Sequence, residues 1–362
     1  MKKGVFVSII LAWTLNVLGQ ALETQWALVD ADRNDRQVPC MVWYPSNSSG
    51  PYPTVIFAHG FFLAPDDYEG LAEAIVSEGY VFASIATEQG FVVDHEAYGQ
   101  DLAFVAEQIA TNGVGGILDG ALDGRIAIGG HSMGGGASWL SAESNPPVDA
   151  FFALAPAETN PSAVAAGELI EAPAMVISGT NDFVTLPATQ HEPIYESAEN
   201  SICSAFISIL EGGHCGYADP GTLCDLGEIG FQGLSHDEQL ALSLSVLVPW
   251  LDAFLKDDPA GLETLDLAGE SLELELNLLC GLDLMEGVLD HGGIEIFYRD
   301  PPYGLTLWNK TNNQAQATLW SVYGRRVVQH TFGINEKWTP VGLSGVYVVI
   351  AGGSAARMIL IR

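Results

Sequence analysis

Short apolar runs alternate with longer amphipathic stretches from Trp26 to about Lys256, and this alternation predicts successive strands and helices. The predicted strands cover residues 38–44, 54–58, 80–85, 125–128, 150–154, 174–178 and 205–210. The predicted helices cover residues 66–77, with Asp66 and Glu69 as a capping box, 95–111 and 133–142, and a last helix capped by Ser235 and Glu238 that ends at Leu255. Because strands that alternate with helices form parallel sheets covered on both faces, we predict an α/β fold with a doubly wound, mostly parallel sheet.

The pattern changes near residue 290. Short β-like runs at residues 304–308, 317–322, 326–332, 345–351 and 356–361 predict a small C-terminal β-sandwich. The charge changes at the same place: residues 20–290 carry four basic and 42 acidic side chains, whereas residues 291–362 carry seven basic and three acidic ones. We therefore predict a main domain over residues 20–290 and a second domain over residues 291–362. Residues 257–290 either complete the main domain or form a linker.

The first 19 residues have the composition of a secretory signal peptide. Lys2 and Lys3 give a basic start, residues 5–18 are mostly apolar, and small residues precede a cleavage site before Gln20. A transmembrane anchor is the alternative, but the apolar stretch is short for a membrane span. We therefore expect a secreted protein, at the cell surface or outside the cell.

Secretion permits disulfide bonds. The chain has five cysteines, so at least one is unpaired within the chain: Cys40, Cys203, Cys215, Cys224 and Cys280. Cys215 and Cys224 lie close together in a loop rich in Gly, Pro and Asp, which favours a bridge between them. The remaining pairings stay open because sequence does not define connectivity.

The net charge of −32 limits the partners that this chain can have. Such an acidic surface repels nucleic acids and anionic membranes, so neither is expected, and it suits an uncharged substrate or serves solubility alone. No phosphate-binding loop, dinucleotide motif or zinc-type Cys/His spacing is present, so no cofactor or metal is expected. The acidic residues Asp219, Asp225 and Glu228 either hold calcium or are solvated carboxylates.

Residues 130–134 read Gly-His-Ser-Met-Gly and carry the chemistry of this chain. They stand where a predicted strand ends and a helix begins, so Ser132 lies on a sharp turn that exposes its hydroxyl as a nucleophile. The flanking glycines allow that turn without steric clashes. A glycine-rich turn without chemistry is the alternative.

A serine hydroxyl needs a base, and the base needs an orienting acid. Asp182 follows the strand at residues 174–178, and His214 follows the strand at residues 205–210, in the order Ser, acid, His. Glu158 is the rival acid. The other histidines after Asp182 are at positions 191, 236, 291 and 330, and the surface or the core is the default for each of them.

An oxyanion formed at Ser132 needs backbone N–H donors. We assign the amide of Met133 and that of Phe61, which follows the strand at residues 54–58 and a His-Gly turn. Phe61, Phe62, Leu63 and Met133 either line an apolar pocket or belong to the core. His131, next to the nucleophile, is assigned to packing or to the lining of the substrate site.

These motifs resemble the bacterial cutinase-like polyester hydrolases and their esterase relatives, which have the α/β-hydrolase fold, over residues 50 to 257. The resemblance implies that Ser132, Asp182 and His214 form the catalytic triad and that the amides of Phe61 and Met133 form the oxyanion hole. It also implies that Phe61 contacts the substrate. Those hydrolases usually carry a Pro-Trp pair after the strand that follows the elbow helix, whereas this chain has Pro156-Ala157. Cleavage of aromatic polyesters is therefore open.

The C-terminal segment has a resemblance of its own. Residues 319–327 and 343–349 look like the C-terminal sorting domain of the bacterial type IX secretion system. That resemblance implies a Bacteroidota-type source, export across the outer membrane by that machinery, and removal of the tail. Asp300-Pro301-Pro302 replaces the usual Asn-Pro. A sandwich that binds a polymer or a sugar is the alternative.

We expect a monomeric serine esterase that cleaves short or medium acyl esters, or polyesters, through an acyl-enzyme. A peptidase or amidase of the same fold is the second hypothesis, but the sequence offers no additional acid for its leaving group. A non-catalytic binding or adhesion protein is the third hypothesis, which the loss of one triad residue would have favoured.

Overall fold

The computed structural model describes residues 21–46, 50–258, 260–269 and 271–280, and seven strands between residues 294 and 361. The predicted signal peptide, the segment 281–293 and Asp300-Pro301-Pro302 lie outside the described residues. The expectations attached to them therefore stay predictions.

A sheet of nine strands forms the centre of the part described up to residue 280. In chain order the strands are β1 Ala21–Asp30, β2 Arg36–Pro45, β3 Tyr52–Ala58, β4 Val81–Ile85, β5 Leu122–His131, β6 Ala150–Leu154, β7 Ala174–Gly179, β8 Ser204–Ile209 and β9 Leu274–Leu279. Their order across the sheet is β1-β2-β4-β3-β5-β6-β7-β8-β9. The six strands from β4 to β8 in this order are parallel, and the pairs β1-β2, β2-β4 and β8-β9 are antiparallel. The prediction of a mostly parallel sheet is confirmed.

Helices cover both faces of this sheet, as predicted. They are α1 Glu69–Ser77, α2 His95–Ala110, α3 Met133–Leu140, α4 Ala163–Gly167, α5 His191–Ser197, α6 His236–Leu255 and α7 Ala260–Ala268. One apolar cluster joins the sheet to α2 and α3 through Leu102 and Trp139, and a second joins the other face to α1 and α6 through Leu71 and Trp250. Each of these side chains is nearly or completely buried, which stabilises the fold by about 2–3 kcal/mol per large side chain.

The two predicted capping boxes differ in outcome. Ser235 and Glu238 cap α6 as predicted, because each accepts a hydrogen bond from the backbone amide of the other. The box assigned to Asp66 and Glu69 is wrong. A 3-10 turn, Pro65–Tyr68, precedes α1, and Asp67 instead accepts a hydrogen bond of 2.8 Å from the amide of Ala64. Pro65, at the first position of this turn, fixes the backbone there. The helical segment therefore begins with the 3-10 turn at Pro65, one residue before the predicted start.

The sheet extends beyond the last predicted helix. β9 pairs with β8 in antiparallel register, with Leu279 opposite Ser204, so residues up to Leu279 complete the main sheet. The expected bridge between Cys215 and Cys224 is present. A second bridge joins Cys203 to Cys280, and Cys40 is a buried free thiol.

All five strands predicted in the C-terminal segment are present. Together with two strands that were not predicted, β10 and β14, the described strands are β10 Ile294–Arg299, β11 Gly304–Asn309, β12 Ala315–Ser321, β13 Arg326–Phe332, β14 Lys337–Trp338, β15 Gly345–Ala351 and β16 Ser354–Ile361. They pair as two antiparallel sheets of order β10-β11-β14 and β13-β12-β15-β16. Their packing as a sandwich stays a prediction.

Candidate active site

Ser132 stands on a strained turn between β5 and α3. Its backbone φ of 56° and ψ of −121° lie in a region that non-glycine residues rarely adopt. Two backbone hydrogen bonds fix the turn. The amide of Ser132 donates to the carbonyl of Leu154 at 2.9 Å, and the carbonyl of Ser132 accepts from the amide of Ala157 at 2.9 Å. Neighbouring structure therefore imposes the strain that exposes the hydroxyl.

Glycine is required on both sides of this turn by close backbone contacts. A Cβ atom on Gly130 would lie 2.3 Å from the carbonyl oxygen of Gly134, and one on Gly134 would lie 2.1 Å from that of Ala58. Both distances are far below van der Waals contact. The spacing of glycines in residues 130–134 thus follows from the packing of α3 against the ends of β3 and β5.

Asp182 and His214 come from the loops after β7 and β8, which are neighbours in the sheet. His214 Nε2 lies 3.0 Å from Ser132 Oγ, and His214 Nδ1 lies 2.7 Å from Asp182 Oδ2. The side chains of His214 and Asp182 are almost completely buried. The structure therefore brings the three predicted residues into one hydrogen-bonded row.

The backbone of the His214 loop is held by two side chains that sequence reasoning missed. The buried carboxylate of Glu228 accepts hydrogen bonds from the amides of His214 and Cys215. Gln239, on α6, pairs with Gly213 twice: its Oε1 accepts from the amide at 2.7 Å and its Nε2 donates to the carbonyl at 2.9 Å. Because these contacts span the loop on both sides of the imidazole, they fix the position from which it reaches Ser132.

The Asp182 carboxylate is saturated with donors. Its Oδ1 accepts from the amides of Val184 and Thr185 at 2.8 Å each, and its Oδ2 accepts from His214 and from the Thr185 hydroxyl. Burial acts to raise the pKa of Asp182, but the hydrogen bond from His214, electrostatic interactions with His214 and His191, and the Thr185 amide outweigh it and lower this pKa. The carboxylate therefore stays ionised.

His191 lies in contact with the same acid. It is fully buried at the start of α5, and its Nε2 lies 2.9 Å from Thr185 Oγ1 and 3.5 Å from Asp182 Oδ2. Its Nδ1 lies 2.7 Å from Ser178 Oγ. By default this histidine is assigned to the surface or the core, and the structure shows that it is buried. Its contact with the residues around Asp182 was not predicted. No short motif marks that link, because it joins the end of β7 to a helix that follows a separate loop.

Of the two assignments for His131, packing or lining of the substrate site, its burial favours packing. Its side chain has 0% exposure, and its two ring nitrogens lie 2.8 Å from Tyr68 Oη and 2.9 Å from the carbonyl oxygen of His214. Burial, followed by the charge of His214, lowers the pKa of His131 well below its ordinary value. Residues 126–131 of β5 are all buried, so His131 lies inside the protein, where it joins the Tyr68 turn to the His214 loop.

The two amides assigned to the oxyanion hole lie at the ends of adjacent strands. β3 and β5 are parallel neighbours with Ala58 opposite Gly130, so the turn that carries Phe61 borders the elbow that carries Met133. Phe62 has a φ of 61°, a second strained position at this edge of the sheet. Within the described residues, neither the Phe61 nor the Met133 amide donates to another protein group.

An apolar rim surrounds this edge. Phe61, Phe62 and Phe91 are 43%, 37% and 86% exposed, and their rings contact one another in series, with centroid distances of 4.0 and 4.8 Å. Exposed apolar side chains also follow the acid loop: Phe183, Val184 and Leu186. Of the residues considered for a pocket, Leu63 and the Met133 side chain are buried and belong to the core.

The other acidic candidates have separate partners. Glu158 is exposed, and its carboxylate accepts from the amide of Val164 rather than from a histidine. Asp219 binds the amide of Gly70, and Asp225 pairs with His236 at 3.1 Å. In the described part of the chain, Asp219, Asp225 and Glu228 do not form a cluster of metal-ligating atoms.

One group of metal-ligating atoms in the described part of the chain lies within 4.8 Å of one another: His131, His214 and Cys224. It does not fit a metal ion. Cys224 is disulfide-bonded, and both ring nitrogens of His131 and of His214 already have hydrogen-bond partners.

The fold and this row of side chains define an α/β protein with a Ser–His–Asp arrangement at the carboxyl edge of its parallel strands. Residues 38–230, more than half of the chain, match the family model described as PETase, PET hydrolase-like, and the chain belongs to that family.

Curated relatives agree with this family. A bis(hydroxyethyl) terephthalate hydrolase of Streptomyces coelicolor is 27% identical over 174 residues, which cover 48% of this chain and 54% of the relative. Cutinases of Thermobifida alba and Thermobifida cellulosilytica are 24% and 26% identical over 174 and 170 residues, covering 48% and 46% of this chain. The match spans 54% to 62% of the length of these three relatives.

Proposed function

We propose that this protein is a serine hydrolase that cleaves carboxylic esters, including the ester bonds of polyesters. One observation carries the proposal: Ser132 Oγ lies 3.0 Å from His214 Nε2, and the other imidazole nitrogen lies 2.7 Å from a buried, ionised Asp182. A hydroxyl in that position is within reach of a base whose orientation and charge are supported by a carboxylate. The relatives, which are cutinases and a bis(hydroxyethyl) terephthalate hydrolase, point to the same class of substrate.

In the proposed reaction Ser132 Oγ attacks the ester carbonyl while its proton moves to His214 Nε2. The new C–O bond places negative charge on the carbonyl oxygen, which the amides of Phe61 and Met133 stabilise. The C–O bond to the alcohol then breaks, and His214 returns the proton to the leaving alkoxide. Water attacks the acyl-enzyme by the same steps, with His214 first accepting and then donating a proton, and releases the acid and Ser132.

The rim favours an uncharged, extended ester with apolar groups on either side of the cleaved bond. The aromatic series at Phe61, Phe62 and Phe91 and the apolar residues after Asp182 present surface that water solvates poorly. The strongly acidic chain disfavours anionic substrates. This chain has Ala157 after Pro156, where the cutinase-like hydrolases that it resembles usually carry Trp.

We further propose that the protein is exported and that residues 291–362 serve as a type IX sorting domain. The two disulfide bonds support an oxidising compartment. The test is expression with and without residues 291–362 in a bacterium that has this export machinery. Export of the full chain and retention of the shortened chain would support the proposal, whereas equal export would contradict it.

The esterase proposal is tested with a series of substrates and one variant. The full mature chain and Ser132→Ala are compared on p-nitrophenyl esters of increasing acyl length, on bis(hydroxyethyl) terephthalate and on films of an aliphatic polyester. We expect turnover by the wild type and a loss of at least about 1000-fold in Ser132→Ala. Equal activity of the two proteins on every ester would contradict the proposal. Cleavage of an anilide analogue at a comparable rate would favour the amidase.

A further inference from the structure

We propose that Thr185 and His191 are positioning residues that, together with Ser178, form an ordered hydrogen-bond chain ending on the Asp182 carboxylate. The inference rests on the proposed function, because it concerns the acid of the same site. Ser178 Oγ lies 2.7 Å from His191 Nδ1, and His191 Nε2 lies 2.9 Å from Thr185 Oγ1. Thr185 Oγ1 lies 2.9 Å from Asp182 Oδ2.

Burial excludes bulk water from every residue of this hydrogen-bond chain. The exposed fractions are 1% for Ser178, 0% for His191, 5% for Thr185 and 3% for Asp182. Each polar atom therefore depends on its protein partner, since a buried hydrogen-bonding group without a partner is costly. These polar side chains occupy buried positions beside the acid that apolar packing would otherwise fill.

The chemistry of the acceptors orders the protons along this chain. Around Thr185 Oγ1, the Asp182 carboxylate at 2.9 Å and the carbonyl of Ala155 at 3.2 Å can only accept, and the hydroxyl has one proton to give. The charged acceptor is the stronger one, so the hydroxyl donates to Asp182. Thr185 Oγ1 then accepts from His191, which places the proton of His191 on Nε2. His191 Nδ1 in turn accepts from the hydroxyl of Ser178.

This order requires a neutral His191 ring with one N–H. Burial lowers the pKa of His191 to about 4, so the ring is neutral at neutral pH. Two titratable groups act on it, the Asp182 carboxylate, which raises this pKa, and His214, which lowers it. Every donor in the chain thus finds a separate acceptor, and the three bonds point toward the carboxylate.

The chain acts at the contact between acid and base. Thr185 Oγ1 lies 2.8 Å from His214 Nδ1, almost as close as Asp182 Oδ2 at 2.7 Å. The hydroxyl therefore holds the carboxylate oxygen to which His214 must bind. At its far end the chain reaches Ser178 on β7, so it ties the acid to the rigid sheet.

The first test reads the proton order without substrate. Long-range ¹H–¹⁵N NMR of the full chain at neutral pH gives the tautomer of each histidine ring, with His191→Gln assigning the signals. We expect His191 to be neutral with its proton on Nε2. A charged ring, or a proton on Nδ1, overturns the proposal. This result does not depend on whether the protein cleaves esters, so it tests the hydrogen-bond chain independently of the proposed function.

The second test uses paired variants and the split between kcat and KM. Thr185→Val removes the hydroxyl at nearly constant volume and is expected to lower kcat by about 10- to 100-fold with KM changed less than about threefold. Thr185→Ser restores the hydroxyl and is expected within about threefold of wild type. Thr189→Val, an exposed threonine in the same loop, is the matched control and is expected within about twofold.

If Thr185→Val does not fold, a pair of variants at His191 still tests the proposal. His191→Gln can still donate to Thr185 and is expected to retain most of the kcat, whereas His191→Leu is expected to lose at least about tenfold. Wild-type kcat in folded Thr185→Val, or equal kcat in the two His191 variants, overturns the proposal. If Ser132→Ala retains activity, the proposed function fails, and the tautomer of His191 remains the independent measurement.

Discussion

The carboxylate of Glu228 accepts hydrogen bonds from the backbone amides of His214 and Cys215, so an acid that is not part of the Ser–His–Asp row fixes the residue that reaches Ser132. Glu228 is nearly buried, and it holds the His214 loop through these two backbone amides. The geometry of the row therefore depends on contacts between backbone and side chains as much as on its three members.

We predict that Glu228→Gln lowers kcat by about tenfold, because the amide can accept only one of the two hydrogen bonds and brings an unpaired donor into a buried place. The measurement is steady-state hydrolysis of a soluble p-nitrophenyl ester. Glu143→Gln, at an exposed position on another loop, is the control and is expected to match the wild type. Equal rates for the two variants would show that the hydrogen bonds from the His214 and Cys215 amides to Glu228 do not position His214.

The bridge next to His214 is expected to stabilise the fold. Cys215 and Cys224 are nine positions apart, and closing a loop of that length in the unfolded chain corresponds to about 2–3 kcal/mol. The double variant Cys215→Ala/Cys224→Ala should lose about that much free energy of unfolding in urea, and its kcat should fall because the His214 loop is less constrained. Unchanged stability and rate would contradict this role.

Gly134→Ala is expected to abolish activity or folding, since its Cβ would lie 2.1 Å from the Ala58 carbonyl oxygen. Overpacking of this kind typically costs about 1–3 kcal/mol or more, and here the obstacle is backbone. Gly90→Ala is the matched control, because the nearest atom to its added Cβ lies 3.8 Å away. Thermal unfolding and ester hydrolysis of both variants provide the comparison. A Gly134→Ala protein as stable and active as Gly90→Ala would refute the packing explanation of the motif.

Stability should fall as the pH drops below about 6.5, partly because of His191. Burial lowers its pKa in the folded protein from 6.5 to about 4, so below pH 6.5 the unfolded chain binds a proton that the folded protein does not. Between pH 7 and pH 5 this difference amounts to roughly 2 kcal/mol for one histidine. His191→Gln should lose less stability over that interval by about this amount, as measured by urea unfolding. Parallel losses in the two proteins would mean that His191 is protonated in the folded state.

Phe91 is expected to matter for polymers more than for small esters. Its ring is 86% exposed and 4.8 Å from that of Phe62, at the outer end of the aromatic series. Phe91→Ser should reduce release of products from a polyester film by about fivefold or more, through lost apolar contact, and change the hydrolysis of a soluble short ester by at most about twofold. Ile117→Ser, an exposed apolar residue on another loop, controls for general loss of surface hydrophobicity. Equal effects of the two variants on film would argue against a role for the rim.

The parts of this structure that depend on local pattern could be predicted from the sequence. The strand-turn-helix signal around Ser132 and the glycine-rich ends of the strands before Asp182 and His214 are visible within about ten residues each. β9 was missed although Leu274, Leu276 and Leu278 alternate with polar residues, because the same stretch also suits a linker.

The supporting residues were not predictable for a different reason. Thr185, His191, Glu228 and Gln239 acquire their roles only when separate loops and helices meet at the edge of the sheet. For His131, the position next to the nucleophile left packing and substrate contact both open, and its burial in the middle of the sheet favours packing. Sequence patterns assign side chains to strands, helices and loops, whereas the contacts between these elements determine the role of each side chain.

The most direct measurement is covalent labelling with a fluorophosphonate probe followed by mass spectrometry of the digested protein. A hydroxyl activated by His214 should react at one position, Ser132, and the label should disappear in Ser132→Ala and form much more slowly in His214→Ala. Unlabelled wild-type protein, or labelling at another serine that persists in Ser132→Ala, would contradict the assignment of Ser132 as the nucleophile.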